Sequence, residues 1–305
     1  MPDLPQRQLG RTGLQVTTLG YGAMELRGTP RGREISEDQS ERILNAVLDS
    51  GINYIDTSVD YGLSEERIGR YIADRRSEYY LASKCACWAL PGEPPPAPNG
   101  RTAHVFTAEN VRAGVEQSLR RMKTDYLDVV QFHASPSQQQ LAENGALDEL
   151  QELKNEGKVR FLGISGTVPN LAEQIELGAF DVFQIPYSAL ERDHEELITR
   201  ASAAGGGTVI RGGAAKGNPG TGEGVYWDRW QNANMDDLLD GASRMEFILR
   251  FTCSHPDLDT TIVGTSDPAH LQDNLDAVLK GPLDPELYAE AKRRLEAAGF
   301  IPQPA

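Results

Sequence analysis

Residues 36–62, SEDQSERILNAVLDSGINYIDTSVDYG, contain a helix pattern that is followed directly by a strand pattern. Ser36 and Gln39 are spaced for a capping box at the start of the helix. Four apolar residues then fall on one helix face: Ile43, Leu44, Val47 and Leu48. Gly51 ends the helix, and residues 52–57, with Ile52, Tyr54 and Ile55, predict a strand. The stretch therefore predicts one helix–strand unit with polar residues at the end of its strand.

The same alternation of strand and helix patterns continues along most of the chain. The eight predicted strands are residues 18–22, 52–57, 79–84, 126–132, 159–164, 180–185, 208–210 and 260–263. Alternation of this kind implies parallel strands joined by right-handed crossovers. The chain has 305 residues, and a closed (β/α)₈ barrel needs about 250. We therefore predict an α/β fold: a TIM barrel with an N-terminal β-hairpin at residues 9–14 and extra helices, in one domain over residues 1–305.

Two long segments interrupt the alternation. Residues 88–105 are rich in proline, and residues 212–240 are rich in glycine. Both are predicted as loops that follow a strand, which places them over the active-site mouth of a barrel. Their aromatic residues are candidates for a substrate pocket: Trp88, Tyr226, Trp227 and Trp230. Anchoring of the loops to the barrel is an equally good interpretation of these aromatic residues.

The composition limits the classes of partner. A formal net charge of −15 argues against a nucleic-acid or anionic-membrane surface, because phosphate contacts need clustered Lys and Arg. We find no apolar run long enough for a transmembrane helix, and residues 1–10 lack the apolar core of a signal peptide. Three cysteines are too few for a disulfide framework and fit a reducing compartment. We therefore expect a cytoplasmic protein, and no pattern predicts its oligomeric state.

Polar residues collect where the predicted strands end, which is the catalytic face of a TIM barrel. Asp56 lies at the end of the second strand and Tyr61 follows it, Lys84 ends the third strand, and His133 lies at the end of the fourth. A tyrosine hydroxyl has a pKa of about 10 in water, and a nearby cation lowers such a value. Lys84 is placed to supply that charge, with Asp56 as its counter-ion. This group suits proton donation to the oxygen of a carbonyl group whose carbon receives a hydride, and hydride transfer requires a cofactor.

Metal chemistry has weaker support in the sequence. Cys85 and Cys87 form one C-x-C pair without a second pair, so we interpret them as plain thiols and predict no metal site. His104 and His194 have no recognisable ligand spacing and are expected at the surface. A metal-dependent barrel hydrolase is disfavoured, because no H-x-H pair ends the first strand.

Three blocks of the chain resemble the aldo-keto reductase signature. They are GINYIDTSVDYG at residues 51–62, LDVVQFH at 127–133 and GKVRFLGIS at 157–165. The opening residues 9–16 and the closing residues 262–274 are similar to that family as well. The resemblance implies a TIM barrel that binds a nicotinamide cofactor without a Rossmann fold. It also implies a catalytic tetrad in which all four positions match: Asp56, Tyr61, Lys84 and His133.

The resemblance also implies a set of cofactor contacts. Gly22, Ala23 and Met24, with Asp56, match the turn beside the nicotinamide ribose, and Ser165 and Gln184 match positions that hold the carboxamide. Gly166 stands where many members have asparagine. Arg211 stands where an aromatic residue often stacks on the nicotinamide, and an Arg plane is a substitute. The adenosine end is implied at six residues: Gly264, Thr265, Ser266, His270, Gln272 and Asn274.

The choice of cofactor and the actual activity leave alternatives. His270 stands where NADPH-selective members often have arginine, so the family favours NADP(H) while NAD(H) is the alternative. The main prediction is reduction of small aldehydes or ketones to alcohols, with Tyr61 as the general acid. The alternative is a cofactor-binding regulatory or redox-sensing module with little turnover.

Overall fold

The structure is a computed structural model that describes residues 3–30, 32–96, 103–214 and 225–303. A two-stranded antiparallel hairpin, β1 (Gln6–Gln8) and β2 (Gln15–Thr17), opens the chain. Eight parallel strands follow and close into a barrel: β3 (Leu19–Gly22), β4 (Tyr54–Asp56), β5 (Tyr80–Cys85), β6 (Leu127–His133), β7 (Val159–Ser165), β8 (Val182–Pro186), β9 (Gly207–Arg211) and β10 (Thr260–Val263). Neighbours in the barrel are consecutive in sequence, and β10 pairs with β3. The predicted TIM barrel is confirmed.

The described helices connect and surround these strands. They are α1 (Glu37–Asp49), α2 (Ser64–Tyr71), α3 (Ala108–Met122), α4 (Gln138–Glu143), α5 (Ala146–Asn155), α6 (Leu171–Glu176), α7 (Glu195–Ala203), α8 (Val225–Asn232), α9 (Arg244–Cys253), α10 (Pro268–Leu279) and α11 (Pro285–Ala297). Ser36 caps α1 by accepting a hydrogen bond from the backbone N–H of Gln39. Thr107 caps α3 in the same way through Asn110. No helix of the described residues has the length and apolarity to span a bilayer.

The hairpin covers the end of the barrel where the strands begin. Leu9, Leu14 and Val16 are buried in one apolar cluster with the first residues of several strands, among them Tyr54 of β4 and Val182 of β8. The apolar interior therefore continues from the barrel into the hairpin, and this end carries none of the candidate site residues.

The segment 212–240 differs from the predicted loop. Its described part contains α8 and a short 3₁₀ helix at Met235–Leu238. Trp227 and Trp230 are 5% and 0% exposed, and Trp230 packs edge-to-face on Phe247 with ring centroids 5.7 Å apart. The Trp230 indole also donates a hydrogen bond to Asp236 at 2.8 Å. The glycine-rich sequence shows no helical pattern, so this helix was not predicted. The burial of both indoles favours the interpretation that they anchor the segment to the barrel over the interpretation that they line a substrate pocket.

Candidate active site

The register of the barrel brings the predicted polar residues to one rim. Lys84 lies opposite Gln131 in the β5–β6 pair. His133 lies opposite Ser165 in the next pair, and Ser165 lies opposite Gln184 in the pair after that. Because parallel strands present their carboxyl ends at the same face, side chains from successive strands meet there. The catalytic candidates and the carboxamide candidates thus share one site.

An ion pair is buried at the centre of this site. Lys84 Nζ donates to Asp56 Oδ2 at 2.5 Å and to the Thr57 carbonyl at 2.8 Å. Asp56 Oδ1 accepts one hydrogen bond from the amide of Gln131 and one from Gln184, each at 2.8 Å. Burial opposes the charge on Lys84, but Asp56 and then Tyr61 outweigh it and raise the pKa of the ammonium. The cation is therefore fixed and fully formed at neutral pH.

Tyr61 lies directly beside this cation. Lys84 Nζ is 5.1 Å from the centroid of the Tyr61 ring. Burial raises the pKa of Tyr61, and Lys84 is the largest of the influences that lower it. The net direction of the pKa is upward, contrary to the lowering predicted from the cation alone, because burial outweighs the effect of Lys84. Tyr61 is consequently a protonated phenol across the neutral range, with Lys84 placed to stabilise the phenolate that forms if the proton leaves.

His133 borders Tyr61 on the other side. The two ring centroids are 5.9 Å apart and the planes meet at 83°. The His133 Nδ1 atom lies 3.0 Å from Cys87 Sγ, 3.5 Å from Ser58 Oγ and 3.6 Å from Asp60 Oδ1. Burial, followed by the charge of Lys84, lowers the pKa of His133 to about 3. The ring is therefore a neutral imidazole at pH 7.

Two histidines expected at the surface lie elsewhere. His104 is half-buried, with its ring centroid 4.9 Å from that of His133. His194 is 5% exposed and its Nε2 accepts a hydrogen bond from the backbone of Val168. The expectation was wrong for both because it relied on local spacing, while the contacts of these residues come from distant segments. Cys87 contacts His133, whereas the sequence predicted it only as a plain thiol.

The carboxamide candidates form a chain of hydrogen bonds. Ser165 Oγ donates to Gln184 Oε1 at 2.9 Å, and the Gln184 amide in turn donates to Asp56. Gly166 is tightly packed: a Cβ atom there would lie 2.9 Å from both Leu171 and Ser135 Oγ. Asparagine therefore does not fit at position 166 unless these neighbours shift, which gives a physical reason for the glycine.

The other nicotinamide candidates lie along the same rim. Gly22 ends β3, Ala23 is buried beyond it and Met24 is 39% exposed. Arg211 ends β9, and its charge is among the influences that lower the pKa of both Tyr61 and His133. The guanidinium thus acts electrostatically on the two catalytic candidates.

The predicted adenosine end lies between β10 and α10. Gly264 approaches Gly22 closely, since a Cβ on Gly264 would lie 2.6 Å from the Gly22 carbonyl oxygen. The Asp267 side chain caps α10 by accepting from the Ala269 N–H at 2.9 Å. This carboxylate would disfavour a phosphate at the same helix end, which the sequence pattern did not predict. The other candidates lie nearby and are buried (Thr265), half-buried (Ser266 and Asn274) or exposed (His270 and Gln272).

The remaining pocket candidates are less informative. Trp88 is half-buried at the start of its loop, and its indole donates to the Gly92 carbonyl at 3.4 Å. Tyr226 belongs to α8, but its side chain lies outside the described part of the chain.

The sequence of the chain is similar to those of known proteins. The model of the aldo/keto reductase family matches residues 18–217. The chain is 27% identical over 294 residues to the uncharacterized oxidoreductase YqkF of Bacillus subtilis (strain 168), covering 89% of this chain and 90% of that protein. L-galactose dehydrogenase of Arabidopsis thaliana is 27% identical over a 340-residue alignment that covers 100% of this chain and 98% of the relative.

A solved structure extends the similarity to the whole fold. The holo form of aldo-keto reductase AKR11C1 from Bacillus halodurans has a TM-score of 0.83 and 28% sequence identity, and the match covers 95% of this chain and 96% of that one. The closed barrel, the polar side chains at its rim and the family match over more than half of the sequence all indicate the same family. The chain is an oxidoreductase that belongs to the aldo/keto reductase family.

Proposed function

We propose that the chain forms one catalytic domain, working in the cytoplasm, that reduces small aldehydes or ketones to alcohols with Tyr61 as general acid. When bound, a nicotinamide cofactor supplies the hydride. The observation that carries the proposal is the buried Lys84 ammonium 5.1 Å from the Tyr61 ring. The three free, buried cysteines fit a reducing compartment.

The proton chemistry follows from the charges around Tyr61. Protonation of the substrate oxygen leaves a phenolate on Tyr61, and the Lys84 cation stabilises that negative charge. Asp56 holds Lys84 in place through the ion pair, and Asp56 Oδ1 also accepts from two amides. His133 is neutral, so one ring nitrogen carries a hydrogen that is suited to donate to a carbonyl oxygen.

The residues at the rim fit a nicotinamide. Ser165 and Gln184 offer a hydroxyl and an amide, which match the hydrogen-bonding groups of a carboxamide. Gly22, Ala23 and Met24 would border the ribose, and Arg211 would lie against the ring in place of an aromatic residue. We favour NADP(H), with the implied adenosine end between β10 and α10, although the Asp267 carboxylate works against an extra phosphate. Equal or tighter binding of NADH in a fluorescence titration of both cofactors would contradict this preference.

The test of the proton donor is Tyr61→Phe. We expect kcat for carbonyl reduction to fall by about 10²–10⁴, the usual contribution of a general acid. Cofactor affinity, measured by fluorescence titration, should change little. Tyr80→Phe is the matched control, because Tyr80 begins β5 at the other end of the barrel. Retention of most of the activity in Tyr61→Phe would mean that another group supplies the proton.

The same assays test the regulatory alternative. A regulatory or sensing module would bind the cofactor tightly and turn over no carbonyl in a panel of aldehydes and ketones. The fully formed ion pair beside Tyr61 favours the enzyme, because cofactor binding alone requires no proton donor.

A further inference from the structure

We propose that Cys87, His104 and His133 form a binding site for a thiol-seeking divalent cation such as Zn²⁺, and that the bound metal inhibits the enzyme by occupying His133. The potential ligand atoms of the three residues all lie within 4.8 Å of one another. The inhibition rests on the proposed function of His133, whereas the binding of metal does not.

The geometry is close to that of a zinc site. Zinc binds sulfur at about 2.3 Å and imidazole nitrogen at about 2.0–2.1 Å in a tetrahedron, which separates the two ligand atoms by about 3.5 Å. Cys87 Sγ and His133 Nδ1 are 3.0 Å apart. Small side-chain rotations therefore suffice to admit the ion between them.

The backbone holds Cys87 and His104 opposite each other. These two residues form an isolated antiparallel bridge. Trp88 N donates to Ala103 O at 3.0 Å, and Val105 N donates to Ala86 O at 2.7 Å. Ligands from the two sides of this loop are consequently presented together before any ion binds, which lowers the cost of ordering them.

One nitrogen of His104 also suits a metal, because an imidazole nitrogen offers a lone pair to a metal ion. His104 Nε2 is buried and has no hydrogen-bond partner within the described chain. A coordinated ion would satisfy this nitrogen.

The surrounding charges partly balance. Lys84 and Arg211 disfavour a cation near His133, and Asp60 favours it. Lys84 is already paired with Asp56, which reduces its repulsion. The Cys87 thiol releases its proton to solvent when the thiolate binds, and the donor set of one sulfur and two nitrogens selects Zn²⁺ or Co²⁺ over Mg²⁺.

Bound metal would interfere with catalysis through His133. A coordination bond would hold the His133 ring in the orientation set by Cys87 and His104, so the ring could no longer turn to meet the substrate oxygen. Reduction should therefore fall in parallel with occupancy of the metal site.

The test uses the full chain, stripped of metal with a chelator and titrated with Co²⁺. The absorbance of a thiolate-to-cobalt charge-transfer band should increase until one equivalent of Co²⁺ per chain has been added. Zn²⁺ should displace the Co²⁺ and remove the band, whereas Mg²⁺ should leave it unchanged. Cys87→Ser should abolish the band, and His104→Gln should weaken metal binding by at least about tenfold. Cys253→Ser is the matched control, because Cys253 is a buried thiol in α9. Thermal melting checks that each variant is folded.

The outcomes separate the two proposals. Absence of the band in the unmodified chain, or its persistence in both Cys87→Ser and His104→Gln, overturns the metal site. Metal binding in a chain that reduces no carbonyl, with or without metal, leaves the site intact and refutes the proposed function. The metal site and the proposed function are both supported if Zn²⁺ inhibits carbonyl reduction by the unmodified chain, and if this inhibition needs at least about tenfold less Zn²⁺ than inhibition of His104→Gln.

Discussion

Asp56 is the residue on which the polar contacts of the site converge. Its two carboxylate oxygens accept from Lys84, Gln131 and Gln184, and it is 2% exposed. A buried pair of opposite charges contributes little net stability, because desolvation offsets the attraction between the partners. Removal of one partner is different, since the remaining charge is then buried alone. The value of Asp56 therefore lies in keeping Lys84 charged beside Tyr61.

Asp56→Asn is expected to lower the free energy of unfolding by about 3–5 kcal/mol, because it leaves the Lys84 ammonium without a counter-ion. Denaturation by urea measures this change. The double variant Asp56→Asn/Lys84→Met should recover much of the loss, since neither charge is then buried. The 2% exposure of Lys84 indicates that its ammonium is confined in the interior. A loss of less than about 1 kcal/mol in the single variant would contradict this confinement.

The pKa of His133 leads to a prediction about pH. A histidine in water titrates near 6.5, but His133 is held to about 3 by burial and by Lys84. The imidazole thus stays neutral as the pH falls from 8 to 5, and kcat should show no step that depends on His133 in this range. The measurement is a kcat–pH profile with a saturating carbonyl substrate. A step with a midpoint near 6.5 that disappears in His133→Asn would contradict the prediction.

At the residue scale, the catalytic candidates were predictable because each lies at, or just after, the carboxyl end of a strand in sequence. Asp56, Lys84 and His133 needed only the strand pattern and their chemical type. His104 was not predictable as a neighbour of His133, because that contact depends on how a long loop returns to the barrel. The upward pKa of Tyr61 was missed for a related reason: burial is a property of the assembled rim.

At the element scale, the loop between β5 and α3 depends on one buried side chain of α3. The Asn110 amide donates to the Cys87 carbonyl at 3.1 Å and to the Val105 carbonyl at 2.9 Å. Its side-chain oxygen accepts from the Ala89 N–H at 2.9 Å. Asn110 thus ties both sides of the loop to the helix and positions the backbone of Cys87 behind His133.

Asn110→Ala should lower the free energy of unfolding by about 2–4 kcal/mol, because it leaves buried backbone groups without partners, each at about 1–3 kcal/mol. Hydrogen exchange should accelerate at the amides of Trp88 and Val105, which bridge the two sides of the loop. Asn155→Ala is the control, since Asn155 is exposed at the end of α5. Unchanged exchange at both amides would show that the loop is ordered by other contacts.

The helix α8 marks the limit of sequence prediction for elements. The glycines before Val225 and the short helical stretch after it gave no clear helical period, so the segment was predicted as a loop. Its order in the structure comes from tertiary packing, with Trp230 buried against Phe247. The barrel strands were predictable because each is a short stretch with apolar, aromatic or β-branched residues that alternates with a helix pattern, a signal that does not depend on distant contacts.

At the scale of the whole molecule, the two ends of the barrel carry different tasks. The carboxyl ends of the strands carry the polar site, whereas the hairpin end is closed by an apolar cluster and by hydrogen bonds such as that from the Gly10 N–H to Asp259. The hairpin was predictable from its glycines, and Gly10 shows why: its φ is +46°, and a Cβ would lie 2.2 Å from the Gly207 nitrogen. Its position under the barrel was not predicted, because it depends on closure of all eight strands.

This division predicts that stability and activity can be separated by substitution at the hairpin. Leu9 is fully buried, so Leu9→Ala should lower the free energy of unfolding by about 2–5 kcal/mol through lost burial and a residual cavity. The kcat of the folded enzyme should stay within about twofold, because the residues that act on the substrate lie at the other end of the barrel. Urea denaturation and steady-state kinetics at low temperature measure the two quantities. Leu177→Ala is the control, since Leu177 is 38% exposed and its loss should change stability by less than about 0.5 kcal/mol. If the kcat of Leu9→Ala falls well beyond twofold while its free energy of unfolding falls, the hairpin end and the catalytic rim are mechanically coupled through the strands.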